Sequence, residues 1–104
     1  MRITITARHC DIPDELRTRA RAVLERLSRV ASRPHDGQVL FGEDHGTPTV
    51  ELRLHTARGR VYIGSAAGAD HRTALDRAAA RVRRQLDKRA PARRRAAGRR
   101  REAR

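Results

Sequence analysis

The first segment of the chain alternates between apolar and polar positions. Over residues 2–9 the side chains of Ile3, Ile5 and Ala7 fall on one face, and most of the intervening positions are Arg or Thr. A period of two residues is typical of a strand with one buried face. The sequence therefore predicts a half-buried β-strand over residues 2–9.

A segment with helical periodicity follows, from about residue 13 to residue 32. Asp11 is its predicted N-cap, and Pro13 suits the first helical turn because its missing N–H has no partner there. Apolar residues recur at steps of three and four, which places them on one stripe of an α-helix. This stripe consists of Leu16, Ala20, Val23, Leu24, Leu27, Val30 and Ala31.

A loop and a short strand are predicted next. Pro34 and the Asp36-Gly37 pair predict the loop, since proline and Asp-Gly pairs both favour turns. The apolar run at Val39, Leu40 and Phe41 lies at the centre of a strand over residues 38–43.

Two further strands form a predicted hairpin. Residues 49–56 alternate between apolar and polar side chains, and the Arg58-Gly59 turn joins them to a strand over about residues 60–67. The sequence leaves open which face of that last strand is buried, because Val61, Tyr62 and Ile63 are all apolar.

The last periodic segment is a second helix, with Asp70 as its predicted N-cap and Pro91 as its predicted end. Its apolar stripe consists of Ala74, Leu75, Ala78, Ala79, Val82 and Leu86. The element order is then β-α-β-β-β-α. A helical crossover makes the first two strands parallel, and the remaining strands follow as an antiparallel meander.

Both helices must bury their apolar stripes, which predicts an α+β fold: a two-layer sandwich with a four-stranded mixed sheet and two helices packed on one face. The predicted domain covers residues 1–90. Residues 91–104 are predicted to be a disordered Arg-rich tail, because the segment has no apolar side chain larger than Ala or Pro.

The charge of the chain is strongly positive and unevenly distributed. The 104 residues include 25 Lys+Arg and 12 Asp+Glu, a formal net charge of +13. Residues 1–89 account for +7 and residues 90–104 for +6. So large a charge repels itself in a free folded protein, which predicts a polyanionic partner, nucleic acid before an anionic membrane surface. The predicted binding surface is formed by the exposed, Arg-rich faces of the two helices, which lie side by side opposite the apolar stripes.

Several stretches of the sequence resemble the ribosome hibernation-promoting factors, also called ribosome-associated inhibitor A or protein Y, over residues 1 to about 90. These stretches are Ile3-Thr4-Ile5-Thr6, residues 12–27, Ala67-Gly68-Ala69-Asp70, Thr73-Ala74-Leu75-Asp76 and Arg84-Gln85-Leu86-Asp87-Lys88. Arg72 stands where the family has a Tyr in the second helix. Since only an Arg-rich segment follows, the resemblance is to the short form of the family.

The resemblance implies a translation inhibitor, or hibernation factor, that docks on small-subunit rRNA in the decoding channel and blocks the tRNA and mRNA sites. It implies a cytoplasmic, ribosome-associated protein of the stress response. Basic helix positions would contact the RNA, and the matching positions are Arg17, Arg26, Arg81, Arg84, Lys88 and Arg89. Arg21 and Arg77 are added from helix geometry. We expect the chain to be monomeric off the ribosome.

Other chemistry has little support in the sequence. The histidines are scattered, and Cys10, the single cysteine, can neither form an internal disulfide nor complete a structural zinc site. There is no Walker loop or GxGxxG motif. We therefore expect no enzyme, no catalytic or metal-binding residue, no cofactor and no small-molecule substrate. No segment has the pattern of a signal peptide or a membrane span.

Two other functions remain open. The same basic face would serve a general double-stranded RNA- or DNA-binding protein. A regulatory domain for a protein partner would instead need an exposed apolar patch. The polar residues on the predicted open face of the sheet, Thr4, Thr6, Arg53 and His55, give no sign of one.

Overall fold

The structure is a computed structural model that describes the backbone of residues 1–102 and the side chains of residues 1–89. Its elements are β1 (Arg2–Ala7), α1 (Asp14–Val30), β2 (Pro34–Asp44), β3 (Thr47–Thr56), β4 (Val61–Ala67) and α2 (His71–Glu102), with a short 3-10 turn at Ala57–Gly59. This order confirms the predicted β-α-β-β-β-α arrangement.

The four strands form one sheet in the order β1-β2-β3-β4. β1 and β2 are parallel because α1 carries the chain back between them. The β2–β3 and β3–β4 pairs are antiparallel. The predicted crossover and meander are both confirmed.

The two faces of the sheet differ because the strand period is two. The row Ile5, Val39, Leu52 and Gly64 lies on the face that α1 and α2 cover, and the rest of that face is also apolar or small. Phe41 at the centre of β2 is fully buried. The helices and this face therefore share one core, as the predicted two-layer α+β sandwich requires.

The start of α1 differs from the prediction. Asp11 is not the N-cap: Pro13 takes that position, and no side chain caps the helix. The carbonyl oxygen of Pro13 accepts hydrogen bonds from the N–H groups of Leu16 at 3.0 Å and Arg17 at 3.3 Å. Ile12 is buried in the core, so the chain is anchored immediately before the helix and Asp11 lies too far back to reach its first turn.

The loop predicted at Pro34 and Asp36-Gly37 is wrong, because these residues already belong to β2. The register shifts between Pro34 and Asp36, as it does in a β-bulge, and a proline is tolerated at the first residue of a strand. Gly37 is needed for packing: a Cβ there would lie 3.1 Å from a methyl carbon of Leu24. The glycine therefore marks the close approach of α1 to the sheet.

β4 buries Gly64 and Ala66 and half-buries Tyr62 on the helix side, which settles the face that the sequence left open. Val61 and Ile63 point to the open face of the sheet and are 43% and 44% exposed. The expectation of an open face without apolar side chains is therefore wrong along β4, where Ile63 lies directly beside Arg53 of β3.

Gly64 is the closest contact point between the sheet and α2. A Cβ at this position would lie 2.5 Å from the carbonyl oxygen of Ala78 and 2.9 Å from a methyl carbon of Val82. We expect Gly64→Ala to push α2 away from β4 and to lower the free energy of unfolding by about 1–3 kcal/mol, the usual cost of overpacking. Urea denaturation followed by circular dichroism measures this loss. Gly46→Ala, whose Cβ would meet nothing within 4 Å but whose φ is +81°, controls for backbone strain alone.

The start of α2 confirms the predicted cap. Asp70 Oδ1 accepts a hydrogen bond of 2.7 Å from the N–H of Thr73. This bond, together with one from the Thr73 side chain, holds the pKa of Asp70 below its ordinary value of 3.8. The cap therefore contributes stability above that value and loses it as the pH falls through the lowered pKa.

The end of α2 differs from the prediction, because the helix continues through Pro91 to Glu102. A proline removes one helical hydrogen bond, but the Ala and Arg residues around it have high helix propensity. The predicted Arg-rich tail, residues 91–104, lies outside the residues whose side chains the structure describes. Its disorder therefore stays a prediction.

Candidate nucleic-acid interface

The eight basic residues predicted to contact RNA are all exposed. They are Arg17, Arg21, Arg26, Arg77, Arg81, Arg84, Lys88 and Arg89. The structure does not place them on one continuous surface. It divides them between the two flanks of the helix layer, the seam between the helices, and a cleft beside Tyr62, which Arg89 lines.

An ion pair joins the two helices. Arg19 donates to Asp76 from Nη2, at 2.9 Å to each carboxylate oxygen, and from Nε at 3.2 Å to Oδ1. Each residue advances a helix by about 100°, so Arg17 and Arg21 lie about 200° around α1 from Arg19, on the flank away from α2. Arg26 lies within about 20° of Arg19 and faces the seam between the helices.

The other flank of the helix layer runs along the edge strand β4. Arg77 donates from Nη1 to the carbonyl oxygen of Ala67 at 2.9 Å, and Arg81 donates in the same way to Ser65. Gln85 continues the series by donating to Ile63 at 2.6 Å. Four helical residues rise about 6 Å and two strand residues about 6.6–6.8 Å, so each step along α2 matches a step along β4.

Four basic residues form a stripe on this flank, which we call the α2 stripe: Arg77, Arg81, Arg84 and Lys88. Their helical positions fall within an arc of about 60°. In the described part of α2 the acidic residues are Asp76, paired with Arg19, and Asp87, whose Oδ1 accepts from Arg83 Nε at 3.1 Å. Both acids point away from the stripe, so no carboxylate of the helix neutralises it.

Arg89 lies apart from the α2 stripe. Its guanidinium carbon stands 5.9 Å from the centre of the Tyr62 ring, in the range of a cation–π contact. Here it joins arginines that sequence reasoning did not select: Arg33, Arg58 and Arg60 line the same cleft. These residues fall in predicted turns or at a strand end, where no periodicity indicates which way a side chain points.

Two of the histidines, His71 and His45, make contacts with neighbouring groups of the fold. His71 Nε2 donates to the carbonyl oxygen of Gly42 at 2.8 Å, and its ring meets Phe41 edge-on at 5.7 Å. His45 contacts its neighbour Asp44 on an exposed turn. Among the described residues, no three His, Cys, Asp or Glu side chains are grouped as a metal site would require. The described helices include none that is both long and apolar enough to cross a bilayer.

Comparison with solved structures shows the same fold in two proteins. The N-terminal domain of Protein Y from Thermus thermophilus matches with a TM-score of 0.72 and 23% identity, covering 85% of this chain and 98% of that one. A ribosomal subunit interface protein from Coxiella burnetii matches with a TM-score of 0.74 and 19% identity, covering 88% and 99%.

Sequence comparison gives the family. No curated protein matches the chain at a significant level. The family model described as sigma 54 modulation protein / S30EA ribosomal protein matches residues 3–94, a range that includes α1 and the α2 stripe. The chain therefore belongs to the sigma 54 modulation protein / S30EA ribosomal protein family, which confirms the resemblance to hibernation-promoting factors.

Proposed function

We propose that this chain is a non-enzymatic ribosome-binding translation inhibitor that keeps idle ribosomes inactive. It docks on the rRNA of the small subunit in the decoding channel and blocks the tRNA and mRNA sites, in the cytoplasm and as a monomer when free. Family membership supports ribosome association. The α2 stripe is the observation that supports the proposed RNA contact: it is a row of cations with no carboxylate of its own helix beside it.

The geometry of the α2 stripe suits phosphate binding. A guanidinium has five N–H donors, and the bonds from Arg77 and Arg81 to β4 each use one nitrogen. The remaining donors are free for phosphate oxygens, while the bond to the strand restricts the rotation of the side chain. These side chains are already partly ordered before RNA binds. The entropic cost of RNA binding is therefore lower than for freely rotating side chains.

Recognition by this surface would depend on the shape of the RNA. Reading unpaired bases usually requires exposed aromatic rings. Neither ring belongs to the α2 stripe: Phe41 is fully buried in the core, and Tyr62 lies in the separate cleft beside Arg89. Phosphate contacts fix position without reading sequence, so they suit a folded RNA whose backbone geometry is constant.

The second candidate function is general binding of double-stranded RNA or DNA. The same observation supports it, because a row of cations without a carboxylate of its own helix attracts any polyanion. The two functions differ in preference: a hibernation factor binds small subunits more tightly than duplexes of equal length at the same salt.

The test compares Arg84→Ala/Lys88→Ala with the matched control Arg2→Ala/Arg53→Ala, which removes two positive charges from the open face of the sheet. Sedimentation with purified small subunits measures the affinity of each. We expect the stripe variant to bind roughly tenfold more weakly or worse for each phosphate contact that it loses, and the control to bind like the parent chain. Equal loss in the two variants would reject the α2 stripe as the interface.

The parent chain is titrated in parallel with a duplex RNA and a duplex DNA. Tighter binding to small subunits supports the ribosomal function. Equal affinity for small subunits and for both duplexes would favour the general nucleic-acid-binding function.

A further inference from the structure

A second concentration of positive charge lies where α1 ends and β4 begins. A concave cleft of about 440 Å³ opens there, between the α1–β2 connection, the β3–β4 turn and the part of α2 that carries Leu86 and Arg89. All of its charged residues are arginines: Arg33, Arg58, Arg60 and Arg89. The cleft is distinct from the α2 stripe, with which it shares no residue.

The charge of this cleft is not balanced by its surroundings. No Asp or Glu lines it, and none of its four arginines belongs to an ion pair among the described side chains. The C-terminal end of α1, which carries about half an elementary negative charge, also borders the cleft at Val30. Four guanidinium groups around one cavity repel one another unless an anion occupies it.

The backbone holds two of these arginines in unusual conformations. Arg33 has a φ of 50° and Arg58 a φ of 65°, in the left-handed region that residues other than glycine rarely adopt. The N–H of Ala57 donates to the carbonyl oxygen of Arg33 at 3.1 Å, and the N–H of Thr56 donates to that of Arg60 at 2.9 Å. Such strain persists where the surrounding structure enforces it, and it concentrates at binding sites.

Apolar and aromatic groups complete the cleft. Val30, Leu86 and the half-buried ring of Tyr62 contribute to its lining, and Arg89 stands over the Tyr62 ring. An apolar lining beside a cationic rim matches the two halves of a nucleotide, a planar base and a phosphate. The volume also lies in the range of about 300–1,000 Å³ that small ligands occupy.

We propose that this cleft binds a phosphorylated nucleotide, with the phosphate on Arg33, Arg58 and Arg60 and the base against Tyr62 and Arg89. The nucleotide is either an unpaired residue of an RNA strand or a free nucleoside phosphate, since both present the same chemistry. In the first case the cleft is an additional contact of the ribosome-binding protein and rests on the proposed function. In the second it is a separate ligand site.

Calorimetric titration of the full chain at low salt tests the cleft with three probes: ADP, hexauridylate and inorganic phosphate. We expect one saturable site for ADP or hexauridylate, at least about tenfold tighter than for inorganic phosphate because the base adds contacts. ADP binding identifies a free nucleotide as a ligand, and binding of hexauridylate alone identifies an RNA residue. Absence of saturable binding for both would overturn the proposal.

Substitutions locate the site. Arg60→Ala and Arg58→Gly are expected to weaken binding by roughly tenfold or more, the cost of one charged hydrogen bond. Arg58→Gly also relieves the positive φ, so its loss of affinity is not explained by a destabilised fold. Arg72→Ala removes the same charge at the other end of the domain and serves as the control. If Arg72→Ala weakened nucleotide binding equally, the loss of affinity would be explained by the net charge alone, and the proposal would be overturned.

Two readouts separate this proposal from the ribosomal one. Tyr62 is the only tyrosine and the chain has no tryptophan, so its fluorescence reports on this cleft. A change in that fluorescence on adding hexauridylate supports the cleft even if small subunits do not bind. If small subunits bind but hexauridylate changes neither the Tyr62 fluorescence nor the calorimetric signal, the cleft proposal is overturned and the proposed function stands.

Discussion

Raising the salt concentration from about 50 to about 200 mM should weaken the binding of this protein to small ribosomal subunits by roughly 10³–10⁵-fold. That range corresponds to about 6–10 neutralised phosphates, each of which releases condensed counterions. We expect four of these phosphates to contact the α2 stripe and the rest to contact the other exposed arginines predicted to bind RNA. A plot of log affinity against log salt from filter binding or sedimentation measures the slope.

The control for this prediction is the double variant Arg84→Ala/Lys88→Ala. Its negative slope should be less steep than that of the parent chain, by about 1 for each lost phosphate contact. The open-face variant Arg2→Ala/Arg53→Ala should keep the parent slope. A parent affinity that hardly changes over this range would contradict an electrostatic interface, whatever the affinity itself.

Replacing Phe41 by alanine should remove about 3–5 kcal/mol from the free energy of unfolding. Phe41 is fully buried at the centre of β2, and its ring meets that of His71 edge-on at 5.7 Å. His71 in turn bonds to the carbonyl oxygen of Gly42. The substitution therefore leaves a cavity and also loosens the start of α2 on the sheet.

Urea denaturation followed by circular dichroism measures this effect. Because domains of this size are stable by only about 5–15 kcal/mol, Phe41→Ala should leave a protein that unfolds at low denaturant concentration. Phe41→Leu keeps most of the volume and should cost clearly less. Equal stability of the two variants would show that the ring is not a central packing element.

The strand and helix pattern could be predicted from the sequence because burial imposes it. The alternation at Ile3 and Ile5 and the three- and four-residue steps from Leu16 to Leu27 report directly on one buried face. The failures occur where tertiary contact overrides a local preference. Gly37 usually signals a turn beside an aspartate, but here it admits the side chain of Leu24. Asp11 favours a cap, but the burial of Ile12 moves the helix start beyond its reach.

The candidate interface was predicted as one basic surface on the adjacent outer faces of the two helices, whereas the structure divides its cations among separate surfaces. Helical position indicates that Arg77 and Arg81 are exposed, but nothing in the sequence shows that β4 lies beside them to accept their hydrogen bonds. The cleft arginines were missed for a related reason. The positive φ of Arg33 and of Arg58 arises at positions where a glycine would be the usual signal.

The hydrogen bonds from α2 to β4 have a consequence for the solution behaviour of the protein. An edge strand with free carbonyl groups is a template on which another chain can add a strand, and this is a common route to aggregation. Arg77, Arg81 and Gln85 occupy the carbonyl groups of Ala67, Ser65 and Ile63. The exposed apolar side chains of Val61 and Ile63 would otherwise favour association of this edge with another chain. Arg77 and Arg81, which we propose as RNA contacts, thus also protect the β4 edge of the sheet from pairing with another chain.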